Sequence, residues 1–260
     1  MTYPMRFASL GSGSEGNALL ISAASGTTTT HLMLDCGFVT REVERRIARF
    51  EVDPSHLAGI LVTHEHSDHV GGVFRLARRY RVPVWLSHGT LDAVRADAHG
   101  VDVRICRDAE TFAVGDLQIT PYTVPHDARE PLQYVATDGR SKLGVLTDIG
   151  RATPHVIEAL AGCDALLLEF NHDSEMLAQS AYPASLKSRI AGPLGHLSNA
   201  HAAELLGAID KRCLKTLVAA HLSKKNNTPE RVRAAIDAVM GRELQVTIAC
   251  QAQGFDWLTC

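Results

Sequence analysis

Between positions 61 and 72 the chain reads LVTHEHSDHVGG, which crowds His64, Glu65, His66, Asp68 and His69 into one short segment. The apolar run GILVT just before it has strand character, so these side chains leave a strand end. In extended backbone, residues i and i+2 point the same way. His64 and His66 can therefore ligate one cation, while Asp68 and His69, where the chain turns into a helix, can face a second. A single histidine here would be a surface-turn residue. The pattern H-x-H-x-D-H between an apolar strand and a helix start points to metal instead.

Two cations need further ligands, and these should come from strand ends on the same rim. His126 follows the strand-like ITPYTV, Asp148 ends KLGVLT, and His221 ends LKTLVAA. Alone, each would be an ordinary capping group. Together they complete a set: His64, His66 and His126 on one metal, Asp68, His69 and His221 on the other, and the Asp148 carboxylate bridging both. A shared open position is left for water, whose pKa two divalent ions would lower until a hydroxide nucleophile forms near neutral pH. His and Asp ligands accept Zn, Mn or Fe, so the ion is left open.

The elements that must position these groups are short and alternate. MRFASLG, NALLISAA and HLMLDCG read as strands, with the TTTT of Thr27 to Thr30 as a hairpin tip. REVERRIARF reads as a helix with Val43, Ile47 and Phe50 on one face. A single helix after the histidine cluster is expected from the spacing of Val70, Val73, Phe74 and Ala77. VPVWLS is a strand, GTLDAVRADA a helix, and AETFAVGDLQITPYTV a hairpin turned at Gly115-Asp116. LQYVATD, KLGVLTD, ADALLLEF and LKTLVAAH follow as strands, and ELQVTIAC opens a final strand pair. TPHVIEALAG, SNAHAAELLGAID and TPERVRAAIDAVMG are helices. No Pro/Ser-rich linker interrupts the chain, so residues 1–260 are read as one domain of two similar layered halves.

Bulk properties narrow the class. The 260 residues suffice for one large core. Lys plus Arg number 26 against 29 Asp plus Glu, a formal charge of −3, so no global basic field marks a nucleic-acid binder and any polyanion must be met locally. The six cysteines fall singly, several in apolar runs, as buried thiols of a reducing compartment do. With no targeting segment and no apolar run long enough for a membrane span, a cytoplasmic protein without membrane contact is expected. Oligomeric state is left open.

The signature T-H-E-H-S-D-H, with His126, Asp148 and His221 in order behind it, resembles the metallo-β-lactamase superfamily over essentially the whole chain. The resemblance implies an α/β fold, a four-layer αββα sandwich. It also implies that Asp35, in LMLDCG, steadies the histidine loop. Many true lactamases carry cysteine where Asp148 stands, and a hard carboxylate suits hydrolases of phosphodiesters and thioesters better. SLGSGSEGNALLI, LLLEFNHD, YPASLKSRIAGPLGHLSN and HLSKKNN are similar to the YycJ/WalJ-type branch, which implies a 5′-to-3′ double-stranded DNA exonuclease. Phe170 departs from the small polar residue expected in that branch.

Several residues are assigned to substrate. GPLGHLSNAHAAELL sets His196, Ser198 and Asn199 at a helix start, an anion site in which His196 would protonate a leaving alkoxide or clamp a phosphate oxygen. By resemblance to tRNA 3′-processing enzymes, a histidine at this point serves the phosphate. Backbone amides of LGSGSEGN, with Ser12, Ser14 and Asn17, would approach a phosphate or the metal rim, unless the run is only a tight turn. Lys224 and Lys225 follow His221 and would grip flanking phosphates. Arg75, Arg78, Arg79 and Arg81 read mainly as a solvated helix face. Glu169, Asn171 and His172 end a buried strand near the same rim as substrate contacts, supports or a further metal contact. The expected function is a dinuclear metal-dependent phosphodiesterase with Asp68, Asp148 and His196 as catalytic residues and DNA as substrate. A thioester or small-phosphodiester hydrolase of the same fold, or a metal-bearing adaptor that binds nucleic acid without cutting it, are the alternatives.

Overall fold

The computed structural model describes residues 4–240 and 244–260. Three antiparallel strands open the chain, β1 (Arg6–Gly11), β2 (Ala18–Ser25) and β3 (Thr28–Leu34), and helix α1 (Thr40–Ile47) leads into a parallel series. That series is β4 (Leu57–Leu61), helices α2 (Ser67–Val70) and α3 (Val73–Tyr80), β5 (Val84–Leu86), α4 (His88–Val94) and β6 (Val103–Ile105). The second half repeats this plan. The strands β7 (Phe112–Val114), β8 (Leu117–Thr123), β9 (Leu132–Thr137) and β10 (Lys142–Leu146) are antiparallel. Helix α5 (Pro154–Leu160) then leads to β11 (Ala165–Glu169), α6 (Ser174–Gln179), α7 (Ala184–Ile190), α8 (Asn199–Ala208), β12 (Thr216–Ala220), α9 (Pro229–Asp237) and β13 (Gln245–Ile248), whose strands run parallel. The last strand, β14 (Phe255–Thr259), crosses back to pair with β1.

The two sheets have orders β14-β1-β2-β3-β4-β5-β6 and β13-β12-β11-β10-β9-β8-β7. Strand β14 thus occupies on β1 the place that β7 occupies on β8. The inner faces meet through Ile21, Leu32, Leu61, Tyr134, Val145, Leu167 and Val218. Outside them, Val43, Ile47, Phe74 and Ala77 cover one sheet, and Val156, Leu160, Leu205, Val232 and Ile236 the other. Helices α1, α3, α5, α8 and α9 each bury apolar side chains on one side, so the stable arrangement is helix, sheet, sheet, helix. This is the four-layer sandwich expected of the chain.

Five element readings are corrected. Thr28, Thr29 and Thr30 belong to β3, and the tip of that hairpin is Gly26-Thr27; β-branched threonine fits a pleated strand better than a turn. The single helix after the histidines is two, broken at Gly71-Gly72, because a Cβ on Gly72 would sit 1.8 Å from the Phe38 carbonyl oxygen. The final two strands are not a pair, since β13 joins one sheet and β14 the other. Helices α6 and α7 and edge strand β6 were not expected: α7 buries no side chain and α6 only Leu177, so neither carries an apolar period. The helix expected through Gly241 ends at Asp237, and Gly241 itself, like Glu243 of the expected strand, lies outside the described residues.

Candidate metal centre

Every candidate ligand leaves a strand end on one rim. His64, His66, Asp68 and His69 follow β4, Asp148 follows β10, and His221 follows β12. Three residues here adopt left-handed backbone: Asp35 (φ 58°), Asp148 (φ 55°) and His221 (φ 57°). Asp35 and Asp148 follow β3 and β10, which hold equivalent places in the two sheets. Non-glycine residues are uncommon in this region, and such outliers gather at functional sites.

The histidine segment is held by main-chain bonds. The amide of Asn17 donates to Asp68 O (2.8 Å), that of Cys36 to His69 O (2.7 Å), and that of Gly72 to Cys36 O (2.7 Å). Gly37 lies so close that a Cβ would fall 1.9 Å from Asp68 O. Two donor sets result. Ring nitrogens of His64, His66 and His126 lie within 4.8 Å of one another, and so do donor atoms of Asp68, His69 and His221. Asp148 groups with His64 and His69, one from each set.

The far side of each ring is fixed. Asp35 accepts from Thr63 N, from Thr63 Oγ1 and from His69 Nδ1, all at 2.8 Å, which turns His69 Nε2 to the centre. Thr63 Oγ1 lies 3.0 Å from His64 Nδ1, Gly195 O accepts from His126 Nδ1 at 3.1 Å, and Asp127 O from His66 Nε2 at 3.2 Å. Glu169, fully buried, lies 2.8 Å from His196 Nδ1 and 3.1 Å from His221 Nδ1, and accepts from the amides of Leu197 and Ile149. Such outer bonds set the tautomer and raise the basicity of metal-binding imidazoles.

The metal-free electrostatics fit a cation. Burial and the neighbouring His69 hold the His64 imidazole well below its usual range, so it is neutral. Its Nε2 is buried without a hydrogen-bond partner, as are His221 Nε2 and Asp148 Oδ2. Buried polar atoms are rarely left so. Burial opposes charge on His221 too, yet Asp148, Asp68 and Glu169 outweigh it and lift its pKa to about 10. His69 is raised for the same reason, by Asp148 and Asp35. Asp148 is held well below its usual value by His221 and His69 against the cost of burial. Protons on two imidazoles thus balance the buried carboxylates where a metal charge would.

The remaining candidates divide. His196, Asn171 and Ser14 line a cleft of about 310 Å³ beside Asp68, Asp148 and His221. Ser12 accepts from the His221 amide at 2.9 Å, and the Asn17 side-chain amide reaches Asp68 Oδ2 (3.3 Å) and His69 Nε2 (3.1 Å). The amides of Gly13, Glu15, Gly16 and Asn17 bond within the protein, so LGSGSEGN is a brace between the ligands rather than a phosphate cradle. Ser198 caps α8 through the His201 amide, and Asn199 exchanges two amide hydrogen bonds with Asn227; neither lines the cleft. His172 belongs to none of the donor groups, and its pKa, lowered to about 4 chiefly by burial, leaves it neutral. Lys224 pairs with Glu15, and the Lys225 ammonium lies 5.6 Å from the Tyr182 ring centre. Phe170 is fully buried in the outer core. Arg78 bonds to Asp97 O and His99 O and Arg79 pairs with Glu44, away from the cleft. Thr63, Asp127, Tyr182 and Arg189 were missed. Asp127 adjoins His126 and Thr63 opens the T-H-E-H-S-D-H signature, while Tyr182 and Arg189 carried no chemical signal of their own.

Glu169→Gln keeps the size of the side chain and removes its charge. The expected result is a loss of about 10- to 100-fold in activity. Because the Glu169 charge helps hold the proton on His196, the alkaline limb of the pH–rate profile should also move to lower pH. An unshifted profile would show that Glu169 acts only in packing.

A four-layer αββα fold with two imidazole–carboxylate donor sets at its rim defines a metal-dependent hydrolase. The model of the β-lactamase superfamily domain matches residues 30–221. The chain belongs to the metallo-β-lactamase superfamily, in its YycJ/WalJ branch. It is 34% identical over 241 residues to exodeoxyribonuclease YycJ of Bacillus anthracis, covering 91% of this chain and 89% of that one. It is 33% identical over 230 residues to exodeoxyribonuclease WalJ of Streptococcus pneumoniae, covering 86% and 84%. Among solved structures it resembles the metallo-β-lactamase fold protein YhfI of Bacillus subtilis, with a TM-score of 0.73 at 16% identity over 98% of this chain and all of that one. Among the described residues, no helix is long and apolar enough to cross a membrane.

Proposed function

We propose that this protein is a dinuclear metal-dependent phosphodiesterase that degrades double-stranded DNA from a 5′ end. The observation that carries this reading is the juxtaposition of two donor sets with His196 in one cleft, in a chain one-third identical to exodeoxyribonuclease YycJ over nine-tenths of its length. His64, His66 and His126 would hold one cation, Asp68, His69 and His221 the other, and Asp148 would bridge them. Bound there, zinc, manganese or iron would supply an activated water and neutralise phosphate charge.

The protein's own groups do the rest. Glu169 accepts from His196 Nδ1, which turns Nε2 away from the carboxylate. Burial disfavours charge on this ring, but Glu169 and Asp148 outweigh it and raise its pKa above the usual value, which favours a proton there. It is the group suited to protonate a leaving alkoxide. Asn171 and Ser14 offer polar contacts at the mouth.

A 5′-end-labelled linear duplex incubated with Mn2+ or Zn2+ tests this. Wild type should release short 5′ products, Asp68→Ala should be inactive, and His196→Ala slower by about a hundredfold or more. If metal-loaded wild type leaves DNA and RNA intact, the polynucleotide reading fails, and thioesters and small phosphodiesters become the substrates to assay.

A further inference from the structure

The cleft is lined by polar and apolar groups together. Asp68, Asp148, His196 and His221 share it with Tyr182, Ile190 and Leu222. The charged part of a phosphodiester has no use for these apolar groups. Tyr182 stands between α6 and α7, and Ile190 ends α7, the helix with no buried side chain of its own. The Tyr182 ring is half-buried, and its hydroxyl bonds to no described residue. An aromatic ring usually buries its apolar body or finds a partner for its hydroxyl. The Lys225 ammonium lies over one face of this ring, 5.6 Å from its centre, so a stacking ligand would use the other face.

Arg189 lines the same cleft. Its Nε donates to Asp127 Oδ2 at 2.6 Å, and its Nη atoms make no hydrogen bond to any described residue, although the side chain is 60% exposed. Asp127 thereby pins the guanidinium at the rim while leaving donors free. A flat apolar surface flanked by a guanidinium and an ammonium matches a nucleobase and its phosphates.

We infer that Tyr182, with Ile190 and Leu222 beside it, stacks the base of the nucleotide next to the scissile phosphate, and that Arg189 binds that nucleotide's outer phosphate. This rests on the phosphodiesterase reading and adds to it a base-contacting subsite. The enzyme would then sense whether the end nucleotide carries a base, without reading which base it is, because every base has a π-face.

The test compares two 5′-labelled duplexes in the metal-loaded enzyme, one with normal terminal nucleotides and one with a tetrahydrofuran abasic analogue in their place. Wild type should cleave the normal end with a KM lower by about tenfold or more. The preference should persist in Tyr182→Phe and fall to about one in Tyr182→Ala. Arg189→Ala should raise KM for both ends and flatten its dependence on salt. A wild type that cleaves normal and abasic ends equally well overturns the inference and leaves the nuclease reading standing. A wild type that cleaves neither, nor any other polynucleotide, removes both.

Discussion

Asp148→Asn is expected to lower phosphodiester turnover by about a thousandfold or more, the largest effect of any isosteric change in this protein. Its Oδ2 lies 3.1 Å from His69 Nε2, and its Oδ1 lies 3.5 Å from His221 Nδ1 and 3.6 Å from His196 Nδ1. No other described carboxylate belongs to a donor group with His64 as well as one with His221. An amide keeps the shape but offers one weaker donor oxygen, so metal content measured by elemental analysis should fall from about two per chain towards one. Asn also tolerates left-handed backbone well, so a folding defect is not the expected cause of the loss. Normal metal content and activity in Asp148→Asn would rule out the bridge.

The second large effect is the response of metal loading to pH. In the metal-free protein His221 and His69 carry protons whose pKa values lie above those of the unfolded chain, about 10 for His221 against an ordinary 6.5. The sign follows from linkage: their contribution to stability is complete below about pH 6.5 and is lost as pH rises through the raised values, for His221 towards about 10. A cation needs the same nitrogens deprotonated, so its affinity grows across that window. Chelated protein should therefore melt at lower temperature as pH rises from about 6.5 to about 8.5. The gain in melting temperature on adding metal should widen over the same range, and metal in about thousandfold excess over its dissociation constant should add about 4 kcal/mol. Calorimetry in buffers of different ionisation enthalpy should detect release of about two protons per chain near neutral pH. No proton release would mean that these imidazoles are already neutral and the carboxylates balanced otherwise.

The candidate donor residues were legible because their signal is local. His64 and His66 obey the two-residue period of extended chain, and His126, Asp148 and His221 each end a run of apolar residues. Asp35 and Glu169 were harder, since what they do depends on neighbouring strands. Glu169 reaches His221 because β11 and β12 run parallel with Glu169 opposite Ala220, and no spacing in the sequence carries that register. Ser12 and Asn17 were read as phosphate contacts on composition, which does not distinguish a loop facing the cleft from one bracing its ligands. Ser198 does what Ser before a helix commonly does. Helices α6 and α7 had no apolar repeat to reveal them, because α7 buries no side chain and α6 only Leu177. The doubling of the fold was visible as strands followed by helices in each half, whereas the crossing of β14 was not, because a terminal strand has no preferred sheet until both exist.

The left-handed backbone at Asp35, Asp148 and His221 has an evolutionary cost. At each corner a glycine would sit more easily than the residue present, so selection for stability alone would drift towards replacing them. Activity holds the chain in place against that drift. The rim of this sandwich is thus a zone of sustained conflict, where the sequence best for folding and the sequence best for chemistry differ, and the well-filled layers beneath supply the surplus that keeps the conflict tolerable.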